Sequence, residues 1–380
     1  MPMSSFDPSA WKKLGNVISP ETIPGRIINF SGDAEPSASG TGDTWRLWFD
    51  IEENGGRNIC FADGPVREPA AMRRTRAVLS SGPADTSAPF SVGNLPDGWN
   101  PRQPQHLRLR DGTHRIYFWT RYPGVVRYLA ADSADGRHYT VHNPHRACFY
   151  HPHDRAVAAN AVPDGLTFDG NLHASRPANE PAALPHEVIN DATTVYQLPD
   201  GTFEAYTAVI EPMPGGKNDP GYVACDNAVG YRRLIRRFTS ADGLTWNGPA
   251  GEIRPDASDP ADLQFYYLTV THTPRGRVGL LGHYRCAAQT IDVELCFSDD
   301  GIHWRRPWRT TPWLPRGREG ESDCCIIMPG RSLVRHDNAW WLFYSGYNFL
   351  HNHTRSFGGP EASHLMCASI LEIPFLRIMS

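Results

Sequence analysis

The sequence predicts an all-β protein, a five-bladed β-propeller whose blades hold about four antiparallel strands each. Three observations point there. A strand–turn–strand pattern returns five times along the chain. Runs of five to nine residues rich in aromatic and β-branched side chains alternate with Gly, Asp and Pro, as short strands require. No long window carries a helical period. The expected organisation is an N-terminal arm over 1–30 and one propeller domain over 31–380.

The repeat is clearest in its turns. Ser240-Ala241-Asp242-Gly243-Leu244-Thr245-Trp246 and Ser298-Asp299-Asp300-Gly301-Ile302-His303-Trp304 share one form, and Ser133-Ala134-Asp135-Gly136-Arg137-His138-Tyr139 keeps it with Tyr in place of Trp. Phe61-Ala62-Asp63-Gly64-Pro65 is a truncated first copy. In each, Asp opens the turn, Gly supplies a positive φ and the aromatic packs between sheets. Asp135, Asp242 and Asp300 are therefore read as structural.

The units follow in order. The first is predicted to hold strands over 45–52 and 58–62, the second over 105–110, 115–121 and 125–131. The third covers 193–198, 203–211 and 231–240, and the fourth 265–273, 277–285 and 291–298. The fifth covers 326–334, 340–346 and 365–370, without the Asp-Gly turn. Asp111-Gly112 and Asp200-Gly201 are the expected hairpin turns. Long insertions run from His142 to Glu187 and from Pro212 to Gly230, and an irregular stretch from Tyr347 to Ser363; such loops are usually functional rims.

Composition narrows the function. Hydrophobic residues make up 40% and charged residues 21%, a folded chain rather than a disordered one. A formal net charge of -4 gives no reason to expect nucleic acid. No run approaches the ~20 apolar residues of a membrane span, and no leader-like segment is seen at the start. The eight cysteines have no C-x-x-C spacing. Cys60, Cys286, Cys296 and Cys367 sit in apolar runs, where a free thiol behaves as a small hydrophobe, and the neighbours Cys324 and Cys325 are read as two faces of a strand. A cytoplasmic location is expected.

In a propeller, residues entering the innermost strand of each blade, and those leaving the second, meet at one mouth of the central channel. The five approaches here are Asp33-Ala34-Glu35-Pro36-Ser37, Arg102-Gln103-Pro104-Gln105-His106, His186-Glu187-Val188-Ile189-Asn190-Asp191, Asp259-Pro260-Ala261-Asp262-Leu263-Gln264 and Glu319-Gly320-Glu321-Ser322-Asp323. Four of them are acidic. Carboxylates accept sugar hydroxyls, and glycoside hydrolysis needs two of them in different protonation states. The catalytic candidates are Asp33, Glu187, Asp191, Asp262, Glu321 and Asp323. Glu35, Gln103, His106, Arg121, Glu211, His283, Arg285 and Asn348 are the candidate sugar contacts, and Asp292 and Glu294 are expected away from the axis. No metal site is predicted: His151, His153 and Asp154, like His351 and His353, read as solvated loop residues. No cofactor is expected, with a single cation on the axis left open.

The repeated Ser-x-Asp-Gly-x-x-Trp turns, the Asp33-Ala34-Glu35-Pro36-Ser37 segment and the run from Thr290 to Trp304 resemble five-bladed propeller glycosidases, the group of arabinanases, β-xylosidases and fructan hydrolases. The resemblance extends from about Gly32 through nearly the whole chain. It implies a carbohydrate or glycoside as partner, and Asp33 as base or nucleophile. It also implies an Asp in the second blade where Gln103 stands, and an acid in the third at Glu187 or Asp191. Glu321 is a further candidate for the proton donor, with Asp323 as its substitute. A glycoside phosphorylase, with phosphate held by arginines such as Arg232, Arg233, Arg236 and Arg237, and a carbohydrate-binding propeller without catalysis stay open beside the hydrolase.

Overall fold

The structure, a computed structural model, describes residues 10–19, 26–27, 33–36, 44–53, 55–154, 189–309 and 311–372. Within them the chain is all-β, with strands in every predicted unit and only short helical turns. The first sheet sets Thr44–Glu53 between Gly56–Pro65 and the short inner strands Arg26–Ile27 and Ala34–Pro36. The second is built on Asn100–Arg108, His114–Tyr122 and Val125–Ser133. The third runs Thr194–Gln197, Phe203–Pro212, Tyr231–Ser240 and Asn247–Ile253.

Hydrogen bonding then departs from the predicted five sheets. Among the described residues there are four, because the last holds two antiparallel groups. One is Leu263–Thr273, Gly276–Arg285 and Thr290–Ser298; the other is Ile326–Pro329, Ala339–Tyr347, Ser363–Leu371 and Lys12–Ile18. They are joined by a single parallel register pair, Ile291 opposite Ile326. Lys12–Ile18, in the segment expected as an arm, is thus an edge strand paired with Ser363–Leu371. Its two lysines and a glycine hide it from an apolar-run reading.

The central strands are apolar on both faces because each lies between two neighbours. On Thr44–Glu53 the odd residues Trp45, Leu47, Phe49 and Ile51 pack with Trp341, Phe343, Leu365 and Cys367 of the last group. Trp48 turns the other way, to Phe90, Ile116 and Phe118 of the second sheet. Pleating repeats the division. Tyr117 and Trp119 pack with Val195, Phe203 and Trp246 of the third sheet. Tyr206 and Ala208 pack with Leu263, Phe265 and Val270 of the following group. Val278, Leu280 and Tyr284 pack with Ile327, Leu342 and Tyr344. The contacts between successive groups close on themselves: the last returns to Trp45, whose ring lies 4.8 Å from Phe343 and 5.3 Å from Trp341.

The Asp-Gly turns are structural, as read. Asp242 Oδ1 accepts the N–H groups of Leu244 and Thr245, and Ser240 Oγ accepts that of Gly243, whose φ is +72°. Asp300 and Asp135 do the same in their turns. Each of two turns also receives a tyrosine from the preceding unit. Tyr117 donates to the Gly243 carbonyl at 2.9 Å, and Tyr206 to that of Gly301 at 3.5 Å.

Candidate functional site

A cavity of about 200 Å³ opens where four sheets converge. The first sheet contributes Arg57, and the second Arg102, Gln103, Trp119, Thr120 and Arg121. His151, Asn190 and Asp191 come from the loops between the second and third sheets, and Arg233 and Tyr266 from the strands that follow. Arg57, Arg102, Arg233 and Tyr266 stand near the starts of their strands and Thr120 and Arg121 near the end of theirs, and antiparallel pairing brings these ends together.

Asp191 is the carboxylate that lines this cavity. Burial raises its pKa, against the lowering pull of Arg233, Arg102 and Arg121. It is held by the chain around it: Asn190 packs beneath, its Oδ1 2.9 Å from His151 Nε2. His151 Nδ1 accepts the backbone N–H of His153 at 3.1 Å, so Nε2 is the protonated nitrogen that donates to Asn190. Burial and the neighbouring His153 push the His151 imidazole down to about 3, keeping it neutral.

The expectation that His151, His153 and Asp154 are solvated is corrected: they are 6%, 5% and 0% exposed. Asp154 accepts from Arg127 at 2.9 and 3.2 Å and from the N–H of Val126, in a fully buried ion pair that anchors the loop. His351 is half-buried, with Nε2 2.9 Å from the Tyr266 hydroxyl, whereas His353 is exposed. Among the described residues no cluster of three or more His, Cys, Asp or Glu is arranged to hold a metal ion.

Of the residues proposed from sequence, Asp191, Gln103 and Arg121 meet in the cavity. Asp33 and Glu35 form a second group. Asp33 Oδ2 lies 2.5 Å from Arg331, while Glu35 is raised by burial and by Asp33 and sits 3.6 Å from His106 Nδ1. His106 stacks on Trp48 at 4.7 Å, and burial with His114 beside it pushes its imidazole down to about 3.

The remainder are occupied elsewhere. Asp262 is bound by Arg285 at 2.7 Å, and although burial opposes its charge, this pairing and the N–H of Ala287 hold its pKa low. Arg285 and His283 instead line a second cavity, of about 230 Å³, with Asp259, Asp292 and Glu294. Glu211 pairs with Arg236 on the adjacent strand, and Asn348 fastens its own loop through Phe357, Pro360 and Ala362. Asp323 is buried against Lys13 and Tyr344, and exposed Glu321 accepts the N–H of Arg318. Glu187 lies outside the described residues. Of the four arginines considered for phosphate only Arg233 reaches the cavity; Arg232, Arg236 and Arg237 pair with Asp219, Glu252 and Glu204.

Sequence reasoning missed Asp50, fully buried on Thr44–Glu53. Its Oδ1 accepts the Gln103 N–H at 3.0 Å and its Oδ2 has no hydrogen-bond partner among the described residues. Burial raises its pKa against Arg57, the Gln103 N–H and Arg102. The available signal was a carboxylate set between Phe49 and Ile51 inside the apolar run from Leu47 to Ile51.

Solved structures similar to this chain include glycoside hydrolases. A thermostable family-43 glycoside hydrolase matches at 11% identity and a TM-score of 0.48, over 90% of this chain and 91% of that one. A second match concerns GH130, a family of mannoside phosphorylases containing glycoside hydrolases that target β-1,2-mannosidic linkages in Candida mannan. It has 14% identity and a TM-score of 0.47, over 90% and 84%. A protein of unknown function from Dyadobacter fermentans matches at 14% and 0.48, over 95% and 99%. No family model matches the chain, and no curated protein matches it in sequence. These likenesses concern chain path and assign no residue a role.

Proposed function

We propose that this chain is a five-bladed β-propeller glycosidase that cleaves a glycosidic bond in the cavity beside Asp191. The two antiparallel groups of the largest sheet then count as separate blades, since one register pair alone joins them. Asp191 is the proton donor to the leaving oxygen. The observation that carries this reading is a cavity-lining carboxyl whose pKa burial raises, the condition a general acid must meet near neutral pH. Asp33, which pairs with Arg331 outside the lining of this cavity, is the carboxylate we propose as base or nucleophile. Trp119 and Tyr266 supply aromatic surface, and Asn190, Gln103 and Thr120 supply hydrogen-bonding groups for sugar hydroxyls.

The test is a hydrolysis screen of aryl glycosides and natural oligosaccharides with and without phosphate, repeated on Asp191→Asn and Asp33→Asn. Cleavage that both substitutions abolish supports the assignment. Cleavage untouched by Asp191→Asn removes it as the acid. Sugar binding without turnover of any substrate returns the protein to the non-catalytic reading.

A further inference from the structure

Among the described residues, the walls of the cavity beside Asp191 carry more arginines than carboxylates. The described lining sets Arg57, Arg102, Arg121 and Arg233 against one carboxylate, Asp191. Arg233 pairs with Asp226 at 2.9 Å and Arg57 with Glu52 at 3.5 Å, both carboxylates outside the lining. Arg102 makes no ion pair among the described residues, and its buried Nε has no hydrogen-bond partner there. Burial and the proximity of Arg57 and Arg121 push its guanidinium down to about 9, against the pull of Asp50 and Asp191. A guanidinium kept half-desolvated next to two others is costly unless an anion joins it. The planar fork of arginine matches the two oxygens of a carboxylate or phosphate, which a neutral hydroxyl cannot offer.

We propose that this cavity recognises a sugar carrying an oxyanion, a uronate carboxylate or a phosphate monoester, with Arg102 as the residue that grips it. The remaining lining fits that ligand. Trp119 and Tyr266 offer ring faces, Asn190 and Asn227 offer amides, and Asp191 stands within the same cavity to act on the glycosidic oxygen. The inference rests on the glycosidase reading for the bond that is cleaved, but the binding it describes does not need that reading.

The test measures binding first. Titration calorimetry at fixed ionic strength compares glucuronate, galacturonate, mannuronate and glucose 6-phosphate with glucose, galactose and mannose, and with inorganic phosphate alone. At least one acidic sugar is expected to bind tenfold or more tighter than its neutral parent. That preference should vanish in Arg102→Gln and be partly kept in Arg102→Lys, which holds the charge and loses the fork. Circular dichroism confirms that both variants fold; should Arg102→Gln unfold, the Lys variant carries the comparison. Equal affinity for neutral and acidic sugars, or a preference that Arg102→Gln leaves intact, overturns the proposal. Cleavage of neutral glycosides with no advantage for acidic ones overturns it while leaving the glycosidase reading standing. Acidic sugars that bind through Arg102 without cleavage of any glycoside sustain it while sinking that reading. Turnover that requires free phosphate also overturns it, because the anion is then a co-substrate.

Discussion

Asp50 Oδ1 accepts the backbone N–H of Gln103 at 3.0 Å, tying the central strand of the first sheet to the inner strand of the second at a residue that lines the cavity. Gln103 needs the tie, because its φ of +51° lies in a region that non-glycine residues occupy only at a cost. The carboxylate also supplies negative charge near Arg57 and Arg102.

Asp50→Asn keeps an acceptor for Gln103 and removes the ionisable group. Burial raises the Asp50 pKa in the folded protein, so folding favours the protonated form. The cost of ionising it is absent at pH values below the unfolded carboxylate value and grows as pH rises through the folded one. The Asn variant is therefore expected to match wild type in Tm near pH 3.5 and to exceed it at pH 8. Melting curves across that range check the sign; a variant less stable at pH 8 shows that the charge on Asp50 contributes more to Arg57 and Arg102 than its burial costs.

Asp191 carries the pH dependence of the proposed reaction. A general acid must be protonated, and burial raises its pKa, so activity is expected to persist above the ordinary carboxylate range and to fall as pH rises through the shifted value. Asp191→Asn should lower kcat by roughly 10²–10⁴-fold on substrates with poor leaving groups. It should lower kcat much less on nitrophenyl glycosides, whose leaving oxygen needs little protonation. The alkaline limb of the kcat profile should disappear in the variant. An equal loss on both substrate types marks Asp191 as a binding group instead.

The strands and the turns were legible because their signals are local. The aromatic-rich run across Thr44–Glu53 and the Ser-x-Asp-Gly spacing need no partner to be read. The lining of the candidate cavity was legible only in part, because it depends on where side chains from different sheets end. Asp191, Gln103 and Arg121 were reached by position along their strands. Asp262 was chosen by the same rule, yet Arg285, directly across the hairpin, claims it first. Asp50 and Arg57 escaped because they sit where a propeller strand should be structural. His151 escaped because a Pro-broken His-rich loop looks solvated until Arg127 and Asp154 bury it.

Ring closure between the first sheet and the last group is concentrated at Trp45, which is fully buried between Trp341 and Phe343. Trp45→Ala leaves a cavity that sheets pinned by their own hydrogen bonds cannot collapse around. A loss of about 3–5 kcal/mol in unfolding free energy is expected by denaturant titration. Trp45→Phe should recover most of it. A loss below about 1 kcal/mol means that this seam is not where the ring is held.

The turn glycines allow a sharper contrast, because two of them share a backbone conformation and differ in surroundings. Gly112 has a φ of +88° and nothing within 4 Å of where a Cβ would stand. Gly243 has a φ of +72°, but a Cβ there collides with the Tyr117 hydroxyl and with Arg115, which reach over from the preceding sheet to the Gly243 and Asp242 carbonyls. Gly112→Ala is expected to cost only the left-handed strain, about 1 kcal/mol. Gly243→Ala should cost about 1–3 kcal/mol beyond that, because it also displaces an inter-sheet hydrogen bond. Pairing Gly243→Ala with Tyr117→Phe separates the two contributions. If the collision dominates, removing the hydroxyl relieves part of the alanine penalty, and the double variant is more stable than the sum of the single losses predicts. Strict additivity shows instead that the turn's own conformation sets the cost.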